Sequence, residues 1–325
     1  MEHDTATPRI GVIGAGGIGK THLRTWRTLG LSPVAIADAK PDVLAAAAEE
    51  YGAQPWDDGF ALIASGTVDL VSICTPPAFH AALAIAALEA GVGVFCEKPL
   101  ATSVADAERV VDAAERTGTL IAVGFCHRFQ PQIEQLRALI TDGELGVIRE
   151  FRNRFAGHLP NVERTWFANP QVAGGGVLVD TSVHSVDLFR YLIGDPVLVQ
   201  AVTSTVESPL GPALEVEDTG IIILRTAEGA LGVIESSWRT PVGEWTLSVH
   251  GTGGSAVVDY ATGTLTVTRA GAEPALVEVE SGDRFERELA DFVRCWQQGA
   301  TPRATVHDGL AATAILEAAY GASSA

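Results

Sequence analysis

The first part of the chain alternates short apolar runs with segments of helical periodicity. Five runs stand out between Arg9 and about Cys126, namely RIGVIG, PVAIAD, VDLVSICT, GVFCEK and LIAVGF. Each is apolar almost throughout, which is typical of strands that are buried on both faces of a sheet. Strands that alternate with helices in this way predict a parallel sheet covered by helices.

Proline, serine and glycine mark where the intervening helices begin and end. One helix is predicted to begin at about Pro41 and to end before Gly52. Another is predicted to follow the capping residue Ser103 and to end before Gly118. The alanine-rich segment FHAALAIAALEAG predicts a third helix that closes at Gly91.

Beyond Cys126 the pattern changes. A helix near Pro131 precedes a strand around VIREFRNRFAG, and GGGVLVDTSVHSVDLFRYLIG predicts one long helix from about Gly176 to Ile193. The segments VQAVTSTVE, TGIIILRT, GALGVIESSW, WTLSVHG and GTLTVTR then alternate apolar and polar residues, with tight glycine-containing turns between them. This period of two predicts a largely antiparallel sheet that is open on one face. Two helices, in ERELADFVRCWQQG and GLAATAILEAAYG, follow.

These changes predict two domains, which the 325 residues can accommodate. The first domain is expected over residues 1–126 and the second over 127–325, with a tight junction near residues 124–130. The terminal helix is a candidate for packing back on the first domain.

Composition narrows the range of partners. Asp and Glu number 40 against 22 Lys and Arg, so the net charge of -18 disfavours nucleic acid and anionic membrane surfaces. The N-terminal stretch MEHDTATPR lacks the basic and apolar regions of a signal peptide, and no apolar run reaches the roughly 18 residues that cross a bilayer. We therefore expect a cytoplasmic protein that contacts neither nucleic acid nor membrane.

The cysteines give no indication of zinc or redox chemistry. Cys74, Cys96 and Cys126 lie in or just after apolar runs, and no Cys-x-x-Cys pair occurs. We expect them to be buried, reduced thiols.

The stretch GVIGAGGIGKTHL, residues 11–23, fits two nucleotide-binding patterns. One is the G-x-G-x-x-G of a dinucleotide-binding turn, and the other is the G-x-x-x-x-G-K-[ST] of a phosphate-binding loop. The turn residues of the first pattern are Gly14, Gly16, Gly17, Ile18 and Gly19.

Residues downstream favour the dinucleotide site. Asp38 ends the second apolar run, about 20 positions after Gly19, where an acidic residue binds the ribose hydroxyls. A triphosphate-binding loop instead requires a later strand that ends in a metal-binding aspartate, whereas the third run ends ICTPP. Because a carboxylate accepts a hydrogen bond from a free 2'-hydroxyl and repels a 2'-phosphate, Asp38 predicts NAD in preference to NADP. The nearby Lys40 leaves dual use open.

Three motifs follow at the ends of later strands, and a fourth lies on the long predicted helix. They are CTPPAFH (74–80), GVGVFCEKPL (91–100), VGFCHRFQP (123–131) and GGGVLVDTSVHSVDLFRYLIG (174–194). In this order the chain resembles the glucose-fructose oxidoreductase and inositol dehydrogenase family. The similarity covers nearly the whole chain and is strongest from Arg9 to Gly194. Its most specific element is the Glu-Lys-Pro triplet combined with an Asp-x-x-x-His helix.

The resemblance has implications for fold, assembly and site. It implies a Rossmann domain followed by an open-faced, mostly antiparallel sheet domain, and homo-oligomers, commonly dimers or tetramers, built through the open sheet. It implies no metal, and we see no three-ligand spacing around His158, His184, His250 or His307. The cofactor contacts that it implies are Thr75, Pro76 and Glu97, of which Glu97 faces the nicotinamide ribose. The catalytic residues that it implies are Lys98, Asp180 and His184.

These residue types suit the oxidation of an alcohol. A histidine such as His184 exchanges protons near neutral pH, and Asp180, four residues earlier, shares its helix face and can orient the ring or hold the substrate hydroxyl. Lys98 would stabilise a developing alkoxide, or act as a rival proton acceptor if its pKa falls. The alternative is a surface ion pair, with Asp187 as a further solvated acid. The many apolar neighbours on this helix favour a site instead.

Four residues are candidates for substrate contact. Arg128 suits a hydroxyl-rich substrate or a phosphate, and suits an interdomain salt bridge equally well. Trp166 can stack on a sugar or belong to the core or an interface. Asn153 and Thr181 are candidates by position only, and Thr181 stands where many members of the resembled family carry glycine or a small apolar residue.

The sequence thus predicts an NAD-dependent oxidoreductase that moves a hydride between the nicotinamide and a ring secondary alcohol of a sugar, sugar derivative or cyclitol. One alternative is a redox-neutral, NAD-assisted elimination or glycoside cleavage. Another is a non-catalytic NAD-sensing protein, although such a sensor has no use for a proton acceptor.

Overall fold

The computed structural model describes residues 7–323 as two compact units. One unit contains the chain up to Cys126 together with Asp283–Thr313, and the other contains His127–Gly282 together with the residues from Ala314 on. The first six residues, on which the expectation about a signal peptide partly depends, lie outside the described part.

The first unit is built on a parallel sheet. Among the described residues the sheet has six strands in the order β3-β2-β1-β4-β5-β6, and its pairings are all parallel. The strands are β1 (Ile10–Ile13), β2 (Ala35–Ala37), β3 (Gln54–Trp56), β4 (Leu70–Ile73), β5 (Gly93–Cys96) and β6 (Ile121–Val123). This is the predicted Rossmann-type sheet, and each of the five apolar runs forms one of its strands.

Strand β3 was not among the predicted strands. It consists of Gln54, Pro55 and Trp56, lies at the edge of the sheet, and pairs only with β2 among the described strands. Its first two residues are exposed. A proline is tolerated at a sheet edge, and an exposed three-residue strand has no apolar run to mark it.

Five helices accompany these strands, and their ends follow the predicted signals. Ser103 caps one helix by accepting a hydrogen bond from the Asp106 N–H at 3.2 Å. Gly52 and Gly118 end two helices in the left-handed conformation, which glycine adopts without steric cost. The helices are α1 (Gly17–Thr28), α2 (Pro41–Tyr51), α3 (Gly59–Ala64), α4 (His80–Glu89) and α5 (Val104–Thr117), with a 3-10 turn at Pro77–Phe79.

The second unit is built on a larger sheet. Within the described residues it has eight strands in the order β14-β13-β12-β11-β7-β10-β9-β8. Its pairings are antiparallel except for β7 with β10, which is parallel. The strands are β7 (Ile148–His158), β8 (Pro196–Ser204), β9 (Thr219–Thr226), β10 (Leu231–Ser237), β11 (Arg239–Gly251), β12 (Gly254–Asp259), β13 (Thr264–Arg269) and β14 (Ala275–Val277). Strands β12 and β14 were not among the predicted segments.

One face of this sheet is buried, as the alternating pattern predicted. Along β9 the residues Gly220, Ile222 and Leu224 are buried, whereas Ile221 and Ile223 are exposed. The helices of this unit are α6 (Pro131–Thr141), α7 (Pro170–Ala173) and α8 (Val183–Leu192), with 3-10 turns at Cys126–Phe129, Val162–Arg164 and Trp166–Ala168. Side chains of α8 pack on the buried face, where Phe189 meets Phe151 edge to face at 5.4 Å.

The long helix predicted from Gly176 to Ile193 begins differently. Its first turn, Leu178–Ser182, is a π-helix, and only Val183–Leu192 is regular α-helix. The hydrogen bonds of a π-turn span one residue more than those of an α-helix, and a helix-period pattern does not distinguish the two over five residues.

Two further helices follow β14, α9 (Arg284–Gln298) and α10 (Val306–Ser323). Helix α9 completes the core of the first unit, where Leu289 and Phe292 pack with Trp26 and Phe95. None of the helices in residues 7–323 combines the length and the apolar composition needed to cross a membrane. The four cysteines are buried and free, which confirms the prediction of buried thiols.

Candidate active site

The glycine-rich turn between β1 and α1 is shaped by close backbone contacts. Gly14 has a φ of +92°, and a Cβ there would lie 2.7 Å from the carbonyl carbon and oxygen of Cys74. A Cβ on Gly19 would overlap the carbonyl oxygen of Gly14. In contrast, a Cβ on Gly16 or Gly17 would meet no atom within 4 Å. The first and last glycines therefore pack the turn against the sheet, and the middle two leave space above it.

Asp38 lies directly beside this turn. It follows β2, and its Oδ2 accepts a hydrogen bond from the Ala15 N–H at 2.7 Å. Its Oδ1 accepts one from the Lys40 N–H at 2.8 Å. Each carboxylate oxygen has a further lone pair, so Asp38 can anchor the turn and still accept a hydrogen bond from a ligand hydroxyl.

The segments after β4 and β5 lie at the same carboxyl edge of the sheet. His80 connects them, because one ring nitrogen lies 2.7 Å from the Thr75 carbonyl oxygen and the other lies 2.7 Å from that of Pro99. His80 is 1% exposed, and burial lowers its pKa below the ordinary value. The hydroxyl oxygen of Thr75 is buried and has no hydrogen-bond partner among the described residues.

Glu97 is turned into the first unit. Its side chain is nearly buried, its Oε1 lies 3.0 Å from His22 Nε2, and its Oε2 accepts a hydrogen bond from the Lys98 N–H at 3.2 Å. A contact between Glu97 and the nicotinamide ribose stays a prediction, since this carboxylate is already engaged. His22 was not among the predicted site residues, although a polar residue on the buried stripe of α1 that contains Leu23 and Trp26 was an available signal.

In the second unit, Asp180 and His184 lie at the start of the helical segment that contains α8. Asp180 belongs to the π-turn, its N–H donates to the Gly176 carbonyl at 3.0 Å, and its Oδ2 accepts a hydrogen bond from the Thr181 hydroxyl at 3.1 Å. Both Asp180 and His184 are partly exposed. Several of their apolar neighbours are completely buried, as expected, including Val177, Leu178, Val183, Val186, Leu188 and Phe189.

An aromatic cluster adjoins His184. The centroid of its ring lies 4.6 Å from that of the His127 ring. The His127 ring also packs against Phe155 and Tyr260, with centroid distances of 4.9 and 5.5 Å. Phe155 in turn packs against Trp245 at 4.8 Å. These residues come from a 3-10 turn, a helix, strands and a loop that are far apart in the sequence, so no local motif indicated that they would meet.

Arg128 occupies a buried ion pair. Its Nε and one terminal nitrogen donate to the two carboxylate oxygens of Asp187 at 2.8 and 2.6 Å. The two side chains are 4% and 1% exposed, and the guanidinium also lies over the Tyr191 ring at 4.7 Å. Asp187 is therefore not the solvated acid that was considered. This pair lies within the second unit, and the geometry favours a structural role for Arg128 over contact with substrate.

The other substrate candidates differ in accessibility. Asn153 is completely buried and donates to the Thr246 carbonyl at 2.8 Å, which indicates a role inside the sheet. Trp166 is 38% exposed and stacks on Phe167 at 3.9 Å. Thr181 is partly exposed and contacts Asp180 as described above. Of these, Trp166 and Thr181 keep surface available for a ligand.

Comparisons with known proteins assign the chain to a protein family. Residues 8–125 match the model of the oxidoreductase family with an NAD-binding Rossmann fold, and residues 133–257 match that of the GFO/IDH/MocA C-terminal domain. The chain belongs to the GFO/IDH/MocA family. Membership confirms the resemblance deduced from the sequence, the fold class and an NAD-binding first unit.

Relatives in this family are similar along most of their length. Inositol 2-dehydrogenase of Rhizobium meliloti is 30% identical, with 96% of each chain covered. Levoglucosan dehydrogenase of Pseudarthrobacter phenanthrenivorans is 32% identical over 77% of this chain and 73% of its own. A solved structure of levoglucosan dehydrogenase, in complex with NADH and levoglucosan, superposes with a TM-score of 0.89 at 28% identity and covers 97% of both chains.

The residues of the first unit fit the cofactor of this family. The open space above Gly16 and Gly17 lies at the start of α1, where free N–H groups and the helix dipole attract a pyrophosphate. Asp38 retains lone pairs for ribose hydroxyls, and the unpaired Thr75 hydroxyl offers a further polar contact at the carboxyl end of β4. These residues would hold NAD at that edge of the sheet.

Proposed function

We propose that this protein is an NAD-dependent dehydrogenase that oxidises a ring secondary alcohol of a sugar, sugar derivative or cyclitol. The observation that carries the proposal is the placement of Asp180 and His184 on a π-turn and the helix after it, in a family member whose first unit binds NAD. π-Turns occur often at functional sites. Names of relatives support the substrate class, since they include inositol 2-dehydrogenase, levoglucosan dehydrogenase and D-glucoside 3-dehydrogenase.

In this proposal, NAD supplies, when bound, the acceptor for the hydride that leaves the carbinol carbon. His184 takes the hydroxyl proton in the forward direction and returns it when a ketone is reduced. Asp180 accepts a hydrogen bond from the substrate hydroxyl or from the imidazole, and Thr181 restricts its rotation through the 3.1 Å hydrogen bond. Proton transfer of this kind is worth about 10^2 to 10^4 in rate.

Lys98 is assigned to the same reaction by its place after β5. The carboxyl edge of the parallel sheet is the edge at which the dinucleotide site lies, and Lys98 is the first residue beyond the buried Glu97. Its ammonium group would stabilise the negative charge that develops on the substrate oxygen. The contact of His80 with the carbonyl oxygens of Pro99 and Thr75 connects the backbone beside Lys98 to the segment after β4.

The test is an absorbance screen at 340 nm with NAD or NADP and with myo-inositol, levoglucosan, aldoses and glycosides. The wild-type protein is expected to produce NADH with at least one polyol. His184→Ala and Lys98→Ala are each expected to lower kcat by about 10^2 or more, with NAD binding by calorimetry unchanged. Thr165→Val is a matched control, because its hydroxyl bonds only to the Val162 carbonyl among the contacts described. Full activity of His184→Ala would refute the assignment of the base.

If no compound in the screen yields NADH although NAD still binds, a redox-neutral reaction becomes the alternative to test. Product analysis by mass spectrometry would then detect an elimination or glycoside cleavage without net NADH. An absence of both NADH and new products would overturn the dehydrogenase proposal for these compounds.

We further propose a cytoplasmic homo-oligomer, a dimer or tetramer, that forms through the open face of the larger sheet. The free cysteines are in keeping with a reducing compartment. The open face carries exposed apolar side chains, and Val202 (73%), Ile221 (41%), Ile223 (42%) and Val257 (38%) are examples. Sedimentation analysis of the wild-type protein is expected to show an oligomer. The double variant Ile221→Glu, Ile223→Glu, which places charges on the open face, is expected to shift the equilibrium toward the monomer.

A further inference from the structure

Glu217 connects the segment before β9 to the start of the π-turn. Its Oε1 accepts hydrogen bonds from the N–H groups of Gly176 at 3.0 Å and Leu178 at 2.9 Å, and from the Tyr320 hydroxyl at 2.7 Å. Its backbone carbonyl accepts another from the Val177 N–H at 2.9 Å. One residue thus binds three successive N–H groups at the point where the helical segment begins.

These contacts satisfy groups that a helix cannot satisfy by itself. The first N–H groups of a helix have no partner within it, and a carboxylate is favoured at that end by the helix dipole. Hydrogen bonds to a charged acceptor are stronger than neutral ones. Burial, followed by the nearby Glu217 charge, raises the pKa of Tyr320, so the phenol stays a donor at ordinary pH.

The glycine pair before the π-turn permits this arrangement. A Cβ on Gly176 would overlap the carbonyl oxygen of Glu217, and a Cβ on Gly175 would overlap the hydroxyl of Tyr320. The backbone therefore approaches Glu217 and Tyr320 more closely than any residue with a side chain allows. This close approach explains why two glycines stand here.

A short chain of hydrogen bonds leads from Glu217 to Asp180. The Gly176 N–H donates to the Glu217 carboxylate, and the Gly176 carbonyl accepts from the Asp180 N–H at 3.0 Å. His184 follows on the first turn of α8. The geometry points to Glu217 as a positioning residue that fixes the π-turn, and through it Asp180 and His184, for catalysis. The inference rests on the dehydrogenase function proposed above.

The length of the Glu217 side chain can be separated from its charge. Glu217→Gln keeps the length of the side chain and one accepting oxygen. Glu217→Asp keeps the charge, but its side chain is one methylene shorter, so the carboxylate lies farther from the N–H groups. We expect Glu217→Asp and Glu217→Ala to lower kcat about 10- to 100-fold, because displacements near 1 Å cost this much. Glu217→Gln is expected to stay within about 5-fold of wild type. The KM and Kd for NAD are expected to stay unchanged.

Two measurements accompany the kinetics, with myo-inositol or levoglucosan as the probe, whichever the wild-type protein oxidises. Hydrogen exchange of a peptide spanning residues 176–184 is expected to speed up in Glu217→Asp and not in Glu217→Gln. Thr203→Val is the matched control, since it removes a 2.9 Å hydrogen bond between β8 and Ser323 of α10 without touching the π-turn. It is expected to leave kcat unchanged.

The outcomes separate this inference from the function on which it rests. If Glu217→Asp has the same kcat and the same hydrogen-exchange rates as the wild-type protein, the positioning role is overturned. This holds even if a loss of activity in His184→Ala confirms the dehydrogenase function. Full activity of His184→Ala would instead overturn the proposed function, whatever the Glu217 variants show. If Glu217→Ala does not fold, the contrast between Glu217→Asp and Glu217→Gln decides alone.

Discussion

The ion pair between Arg128 and Asp187 gives the most direct test of the second unit. Replacing Asp187 with Asn keeps the side-chain shape but removes the charge, and it leaves the buried guanidinium without its carboxylate. Two charge-assisted hydrogen bonds, at 2.8 and 2.6 Å, are weakened or lost in this variant. The pair is 4% and 1% exposed, so water cannot take the place of the carboxylate.

The expected cost follows from this burial. Removing one partner of a buried ion pair destabilises a protein by about 3–5 kcal/mol. A total unfolding free energy of about 5–15 kcal/mol is typical, so the loss is a large fraction of the whole. Replacing both partners by apolar residues, as in Arg128→Met with Asp187→Leu, is expected to cost less than Asp187→Asn alone, because neither charge of this pair is then left buried without the other.

Urea denaturation followed by far-ultraviolet circular dichroism measures the difference. The matched control is Glu89→Gln, which removes a surface ion pair with Arg116. The Glu89 side chain is 51% exposed and that of Arg116 is 61% exposed. That variant is expected to lose about 1 kcal/mol or less. A loss for Asp187→Asn as small as the control's would refute the structural role, and a raised KM for the polyol at full stability would restore Arg128 as a substrate contact.

Three substitutions test the first unit, two of them at the cofactor turn and Asp38 beside it, and one at the opposite edge of the sheet. Gly19→Ala is expected to cost about 1–3 kcal/mol in urea denaturation and to abolish NAD binding in calorimetry, because its Cβ would overlap the Gly14 carbonyl oxygen. Asp38→Ala is expected to weaken NAD binding about 10-fold and to reduce discrimination against NADP, because the Ala15 N–H and the ribose lose their acceptor. Asp69→Asn is expected to cost about 0.5 kcal/mol at pH 7. Hydrogen bonds from Arg9 hold the pKa of Asp69 below its ordinary value, so this stabilisation is present above about pH 4 and is lost as the pH falls through the lower folded value.

Each of these tests has a control variant or a result that would contradict it. Gly17→Ala is expected to leave stability nearly unchanged, since a Cβ there meets no atom within 4 Å, and an equal loss in both glycine variants would contradict the packing argument. An unchanged ratio of NAD to NADP affinity in Asp38→Ala would remove Asp38 from cofactor selection. A stability difference for Asp69→Asn that grows as the pH falls from 5 to 3 would contradict the sign of the pKa shift.

Much of the fold was predictable because its signals are local. Apolar runs marked five of the six strands in the first described sheet, and glycine and serine marked helix ends such as Gly52, Ser103 and Gly118. A strand buried on both faces must be apolar throughout, and a helix end needs particular backbone angles or an acceptor. Of the three missed strands, β3 and β14 have three residues each, and most of these residues are exposed, so local burial did not distinguish them from loop. Strand β12 has six residues and buries Ala256 and Val258 in alternation, so its pattern was an available signal.

The site was predictable only in part. The spacing of Gly14, Gly19 and Asp38 predicted the dinucleotide turn, because all three lie in one β-α-β segment whose geometry is nearly constant. The pair Asp180 and His184 was found through its helical spacing and the resemblance to a known family. The residues at the start of that π-turn, however, donate hydrogen bonds to Glu217, which is distant in sequence.

By itself, therefore, the sequence determined the two kinds of sheet and the cofactor turn, since these arise from periodicity and from contacts between near neighbours. It indicated the candidate catalytic helix through its resemblance to a known family. Tertiary structure alone decided that Arg128 is bound to Asp187, that Glu97 is turned toward His22, and that Glu217 binds the start of the π-turn. These partners are 59, 75 and about 40 residues apart in the chain. A buried charge must find a complementary group, but which distant residue meets it is set by how the strands and helices pack.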